Sequence, residues 1–276
     1  MALLVMDTAT EVLAAGVALT AGLAPGQGGD VEAQGWGPAS MAVPVTASTA
    51  VRVPRGHSRL LQPALAQVLE HAGIRPQDLT GIGVGVGPGS YTGVRLAVST
   101  AKAMAFALGI PVYPLSTLAA MAAAAAPFAN VGGKQAPLRV VSLLYARRQR
   151  AFGAVFEYQG GGVETLVPPQ VRHLGGWLEV LAQLRHQRGP GTELLVHDFQ
   201  PQFGGDDEIQ ALSTDWQVTL ADCAGNLAAG LIRVWLAGDT QPLAGDAVHR
   251  LEPAYVLEVE AEAKLRGATE RVRAEK

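Results

Sequence analysis

Apolar positions come first in two short runs, residues 2–6 and 12–19, separated by five residues that start at Asp7. This spacing predicts a β-hairpin with its turn at 7–11. Segment 22–42 is rich in Gly, Pro, Ala and Gln with no periodicity and reads as a loop or insertion. Val43, Val45, Val51 and Val53 alternate with other residues, which predicts a third strand over 43–53. After His57 and Ser58 the pattern changes to a helical stripe of Leu60, Leu61, Ala64, Leu65, Val68, Leu69 and Ala72, and Gly73 ends it. A glycine-rich strand at 80–86, a tight loop at 87–93, a helix over 93–109, a strand at 110–114 and an alanine-rich helix at 116–126 follow.

A looser stretch at 127–137 separates the two halves. The second half restarts with strands at 138–144, 150–158 and 162–168, then a helix at 173–187 and a strand near 193–197. Residues 199–220 have no clear pattern, and a long apolar helix is expected over 222–237. Hairpins mixed with strand–helix–strand crossovers predict an α/β chain with a mixed sheet flanked by helices in each half. Both halves open on the same hairpin pattern, a weak sign of duplication at the level of the fold. Two lobes are expected, 1–127 and 138–258, with the 222–237 helix packing back on the first and a charged tail at 259–276.

Composition narrows the function classes. Apolar residues make up 49% of 276 residues and charged residues 16%, which excludes a disordered chain. With 21 basic and 24 acidic side chains the net charge is −3, so the basic excess of an independent nucleic-acid binder is missing, and RNA contact is expected only jointly with a more basic partner. The single cysteine, Cys223, excludes an intrachain disulfide and fits a reducing compartment. The apolar run from Leu115 to Ala129 is interrupted by Ser116, Thr117 and Pro127, so a cytoplasmic chain without a membrane span is expected.

Two segments offer chemistry. Asp7, Thr8 and Thr10 lie in the first hairpin turn, where hydroxyls can donate to phosphate and a carboxylate can orient water around Mg²⁺. The same residue types are also ordinary turn formers. Gly87, Gly89 and Ser90 belong to the loop Gly87-Pro88-Gly89-Ser90-Tyr91-Thr92-Gly93, whose backbone N–H groups at a helix start attract anions. It has neither the spacing of a P-loop nor that of a nucleophile elbow, and a purely structural strand-to-helix turn explains it equally. The helix at 93–109 is apolar almost all round and must be covered on most sides, by its own core or by a second subunit. The six histidines form no metal-binding pair, so no metal site is expected.

These segments carry a resemblance. HSRLLQPALAQVLEHAGI (57–74), DLTGIGVGVGPGSYTGVRLAVSTAKAMAFALGIPVYPLSTLAAMA (78–122) and Asp7-Thr8-Ala9-Thr10 are similar to the bacterial TsaB (YeaZ) family, and GPGSYTGVR at 87–95 is highly specific to it. The later Pro253-Ala254-Tyr255-Val256 resembles the family's Pro-x-Tyr motif, whereas Tyr145-Ala146-Arg147 stands where the family usually reads Asp-Ala-Arg. The resemblance implies an actin-like fold of the sugar kinase and Hsp70 class. It also implies a scaffold subunit that pairs with TsaD, and with the ATPase TsaE, for threonylcarbamoyl transfer to the adenosine next to the anticodon of ANN-decoding tRNAs. In that pathway TsaD carries the metal and the transfer chemistry, and the family forms homodimers when TsaD is absent.

The family's partner surface maps onto helices 58–72 and 93–109. The contact is expected at Leu61, Leu65, Val94, Ala97, Val98, Ala101 and Ala105, and glutamate at Ala101 or Ala105 is expected to break association without unfolding the chain. ATP or ADP with Mg²⁺ at a partner interface is the one cofactor left open, and the phenol at Tyr145 weakens it. The alternatives are a small-molecule kinase or ATPase of the same fold, and a glycoprotease-type peptidase as older descriptions of the family suggest.

Overall fold

A computed structural model describes residues 1–20, 44–52, 56–129, 137–159, 162–189, 191–199, 216–238 and 240–254. The expected loop at 22–42, the tail at 259–276, Tyr255-Val256 and most of 199–220 lie outside the described residues.

The first sheet contains β1 (Ala2–Asp7), β2 (Val12–Leu19), β3 (Val45–Arg52), β4 (Gly81–Gly85) and β5 (Val112–Leu115), in the order β3-β2-β1-β4-β5. The second contains β6 (Leu138–Tyr145), β7 (Arg150–Gln159), β8 (Gly162–His173), β9 (Thr192–His197) and β10 (Trp216–Thr219), in the order β10-β9-β6-β7-β8. Each lobe's first three strands pair antiparallel, and its fourth and fifth join in parallel. Counted from its own first strand, each sheet has the same order and directions, so the expected duplication is present in the two sheets. Two mixed sheets flanked by helices are the architecture, as the sequence led one to expect.

The helices are α1 (His57–His71), α2 (Tyr91–Leu108), α3 (Thr117–Ala125), α4 (Leu174–Arg188), a short α5 (Leu220–Cys223), α6 (Leu227–Ala237) and a short α7 (Asp246–His249). Strand residues alternate between two cores. Leu3, Val5, Val12 and Ala14 face one side of the first sheet, while Leu4, Met6, Leu13 and Ala15 face the other. The first side shares a core with Val140 and Leu144 of the second sheet, and α3 and α6 fill the space between the sheets. Alanine dominates α3 because it is covered on both sides, and a Cβ at Gly230 of α6 would overlap the Ala120 carbonyl. The apolar stretch Leu220–Ala237 is long enough to cross a membrane, but half of it is buried, as a core helix is. The opposite face of the first sheet carries α1 and α2, and the outer face of the second carries α4 around Trp177.

Three sequence expectations shift. The helix expected over 222–237 is broken into α5, a 3₁₀ turn at Ala224–Asn226 and α6, and Gly225 and Asn226, both poor helix formers, lie in the break. Strand β8 runs on past Pro168 and Pro169 to His173, because it is the edge of its sheet and both prolines fall where its register against β7 shifts. The C-terminal segment does not stay with the second lobe. Leu243 bridges Val112, Val248 and Leu251 enter the α1–α2 core, and Ala254 N–H donates to Val86 O at 2.8 Å.

Candidate functional site

The first hairpin turn and the 87–93 loop pack directly against each other. β1 ends at Asp7, whose carboxylate is fully buried. Its Oδ1 accepts the Ala9 N–H at 2.6 Å and its Oδ2 accepts the Thr117 hydroxyl at 2.7 Å. Burial pushes the Asp7 pKa up to about 6, against the lowering effect of those two bonds. Thr8 donates to the Gly93 carbonyl at 2.6 Å, and the Thr10 hydroxyl closes on the Val12 backbone at 3.1 Å.

Across the contact, Ser90 N–H donates to the Ala9 carbonyl at 2.6 Å, and Ser90 Oγ caps α2 by accepting the Gly93 N–H at 3.3 Å. Gly87 N–H donates to Thr117 Oγ1 at 3.2 Å, and the Gly87 carbonyl accepts the Thr117 N–H at 3.0 Å. Cβ atoms at Gly85, Gly89 and Gly93 would overlap the Asp7 carboxylate, the Ala9 carbonyl and the Thr8 carbonyl, which is the close approach that needs glycine here. The peptide bond between Gly87 and Pro88 is cis.

The residues expected to hold phosphate are thus brought together, but their polar groups named above bond to Ala9, Val12, Gly93 and Thr117 within the chain. Asp7 has no surface open to hydrated Mg²⁺, and the Ser90 N–H faces a carbonyl. Phosphate entry would require several of these buried bonds to break, so the arrangement does not fit a nucleotide with Mg²⁺. Thr117, which links the turn to α3, was missed from sequence because nothing in an alanine-rich helix marks its first residue as a partner of Asp7.

Between the lobes the chain places other titratable groups. The Tyr145 N–H donates to Asp198 Oδ1 at 2.7 Å, and the Tyr145 ring meets Phe199 edge-on at 5.6 Å. A carboxylate therefore stands beside position 145, supplied by the end of β9. Burial, with the Glu11 charge adding to it, raises Asp198 to about 7. Glu11 pairs with Arg52 at 2.9 Å, and its carbonyl accepts from His57, whose pKa burial lowers. Sequence reading missed Asp198 because it falls just after a strand, at the edge of a stretch without pattern. Among the described residues no group of three or more His, Cys, Asp or Glu gathers as a metal site.

The seven side chains expected at a partner surface face the other way. Leu61, Leu65, Val94, Ala97, Val98, Ala101 and Ala105 are all buried in the chain's own core against the first sheet. The helices are as expected, but the apolar stripe of each is spent on the sheet. Outward along α2 stand Tyr91, Arg95, Ser99, Ala103 and Phe106. Phe106 is 74% exposed beside His249, Tyr91 is 47% exposed, and the Arg95 guanidinium lies 3.9 Å from the Tyr91 ring centre.

Comparison with known proteins places the chain in a family. The family model "TsaD: tRNA N6-adenosine threonylcarbamoyltransferase" matches residues 50–221, more than half of the chain. The tRNA threonylcarbamoyladenosine biosynthesis protein TsaB of Bacillus subtilis is 34% identical over 129 residues, 47% of this chain and 53% of that protein. The protein of the same name from Escherichia coli is 28% identical over 126 residues, 44% of this chain and 52% of that one. The match thus spans about half the length of these curated relatives. The solved structure of YeaZ from Pseudomonas aeruginosa shares the fold with a TM-score of 0.60 at 21% identity, covering 92% of this chain and 99% of that one. A second solved structure, described as an uncharacterized protein with similarity to peptidase YEAZ from Pseudomonas aeruginosa, gives a TM-score of 0.64 at 20% identity over 93% and 99%. The chain belongs to the TsaD family, and the relatives and solved structures it is similar to are named TsaB or YeaZ.

Proposed function

We propose that this chain is a non-catalytic subunit in the biosynthesis of threonylcarbamoyladenosine on tRNA, pairing with a TsaD-type subunit that performs the transfer. The observation that carries this reading is the closed contact between the Asp7–Thr10 turn and the 87–93 loop. A kinase or ATPase of this fold needs a carboxylate and backbone donors aimed at phosphate, and here both are used inside the chain.

The surface that supports a partner is the outer face of α1 and α2. Tyr91, Arg95, Ser99, Ala103 and Phe106 recur at helical spacing on α2, two aromatic side chains and an arginine with two small residues between them. Such a face suits a helix packed closely against it. The same face would form an isologous homodimer when the partner is absent. A TsaE-type ATPase and the tRNA would then join the pair rather than this chain alone.

Light scattering behind size exclusion tests this, on the chain alone and mixed with its cognate TsaD-type protein. A one-to-one complex is expected, together with no Mg²⁺-dependent ATP binding by the isolated chain in calorimetry. Robust ATP turnover by the pure chain, or no complex even with the TsaE-type protein and nucleotide, would overturn the reading.

A further inference from the structure

Among the described residues three large apolar side chains are exposed, and two of them are on α2, Tyr91 at 47% and Phe106 at 74%. Phe106 does not stand alone. The His249 ring lies against it, with centres 5.6 Å apart and planes tilted by 56°. His249 comes from the C-terminal segment 240–254, which follows α6. Leu243 of that segment exchanges both backbone hydrogen bonds with Val112 at 2.8 Å, on the edge strand that begins just after α2. The short α7 comes next, and then the Ala254 N–H donates to the Val86 carbonyl at 2.8 Å, directly before the glycine loop that leads into α2. The segment is therefore a strap that runs from the end of α2 back to its beginning.

The strap is lightly held. Val248 and Leu251 are its only buried side chains, while His249, Arg250 and Glu252 are exposed. Segments with so few buried contacts are the first to open. Midway along the strap the Lys102 ammonium donates to the carbonyls of His249 at 2.6 Å and Leu251 at 3.1 Å. Lys102 and Arg95 are the only charged residues of α2, and Lys102 stands one turn before Phe106. A compact ammonium with three donors suits two carbonyls that converge on one point. Lysine and phenylalanine thus hold the same histidine, one by its backbone and the other by its ring.

We propose that the TsaD-type partner docks across α2 and this strap together, on a joint Phe106–His249 surface, and that Lys102 is the positioning residue that keeps His249 there. The inference rests on the function proposed above and adds the strap and its pin to the partner surface. The stretch that matches the TsaD family model, 50–221, includes α1 and α2, so a TsaD-type subunit offers equivalent helices to the same face. An exposed aromatic residue backed by a fixed second ring is the kind of anchor that dominates such a contact. Preorganising it before the encounter lowers the ordering cost of association.

The test uses the full-length chain and its cognate TsaD-type protein. Wild type, K102M, K102R, H249A and K102M/H249A are compared by calorimetric titration with the partner, and by mass spectrometry of trypsin cleavage after Arg250. K102M is expected to be cleaved there about 5-fold faster, with a Tm close to that of wild type. K102M and H249A are each expected to weaken partner binding about 10-fold, and the double variant by about the same factor, because both act through His249. A lysine with a purely structural role would give losses that multiply to about 100-fold. K102R, which can still donate to both carbonyls, is expected to bind within about 3-fold of wild type. Unchanged binding by K102M and H249A, or losses that multiply, would overturn the inference and leave the proposed function standing. If K102M does not fold, the exposed H249A decides, and wild-type affinity in that variant overturns the inference. If wild type forms no complex, or only a homodimer, the proposed function fails and the inference falls with it.

Discussion

The Thr117 hydroxyl donates to the Asp7 carboxylate at 2.7 Å, joining the end of the first strand to the start of a helix 110 residues later. The acid it holds is fully buried, and that burial sets the pH response, with the bond itself acting against it. Asp7 is raised from an ordinary 3.8 to about 6 when folded, so between those values the folded state keeps a proton that the unfolded state has lost. Stability from this group is therefore greatest below about pH 4, falls as pH rises to about 6, and is level above. The full fall is about 3 kcal/mol at 1.36 kcal/mol per pKa unit. Asp198, raised to about 7, acts in the same direction over a wider window. Asp7→Asn should be at least as stable as wild type at pH 8 and show a smaller fall in Tm between pH 4 and 7. A variant that melts well below wild type at every pH would mean that the carboxylate itself holds the site together.

Ala101 and Ala105 lie in the core, so a charge there meets apolar neighbours and not a partner. Ala101→Glu should cost about 3 kcal/mol or more by burying an unpaired carboxylate, and be visible as a large loss of Tm or of soluble protein. Phe106→Glu on the outward face should change Tm by the equivalent of about 0.5 kcal/mol or less and yet remove association in size exclusion. Full association by Phe106→Glu would place the partner elsewhere.

Arg139 is 1% exposed and donates to Glu157 at 2.8 Å. It also donates to the carbonyls of Arg188 and Gly189 at the end of α4, at 3.3 and 2.9 Å. Arg139→Ala leaves Glu157 with only the longer contact to Arg188 at 3.4 Å, strands two carbonyls, and should cost about 3 kcal/mol in urea unfolding. Arg75→Ala, which breaks a fully exposed pair with Asp78, should leave the unfolding midpoint close to that of wild type. Equal effects from the two would show that the buried network contributes nothing beyond a surface pair.

Burial pushes the Cys223 thiol up to about 12, leaving almost no thiolate at neutral pH. Labelling with a thiol reagent at pH 8 should be slow in the folded chain and complete within minutes in urea. Fast labelling without denaturant would mean that the α5–α6 region opens readily.

Strand and helix positions were legible from periodicity because each strand alternates between two cores and α1 and α2 each turn one apolar stripe to a sheet. The Asp7–Thr10 turn and the glycine loop were legible as a pair of interest because short polar residues and glycines interrupt those runs. What they do to each other was not. Thr117 and Asp198 reach Asp7 and Tyr145 across 110 and 53 residues of chain, and no local pattern encodes such contacts.

The side taken by α2 also lay beyond the sequence. A helix apolar almost all round offers several faces, and only packing against the first sheet decides that Ala97, Ala101 and Ala105 go inward while Phe106 stays outside. The sequence by itself determined the order of elements, the paired lobes and the family resemblance, since these follow from local periodicity and contiguous motifs. The tertiary structure alone decided that the groups expected to hold phosphate are bonded within the chain, that the C-terminal segment returns to the first lobe, and which faces of α1 and α2 point outward. Those outcomes depend on which distant groups become neighbours when apolar surface is buried.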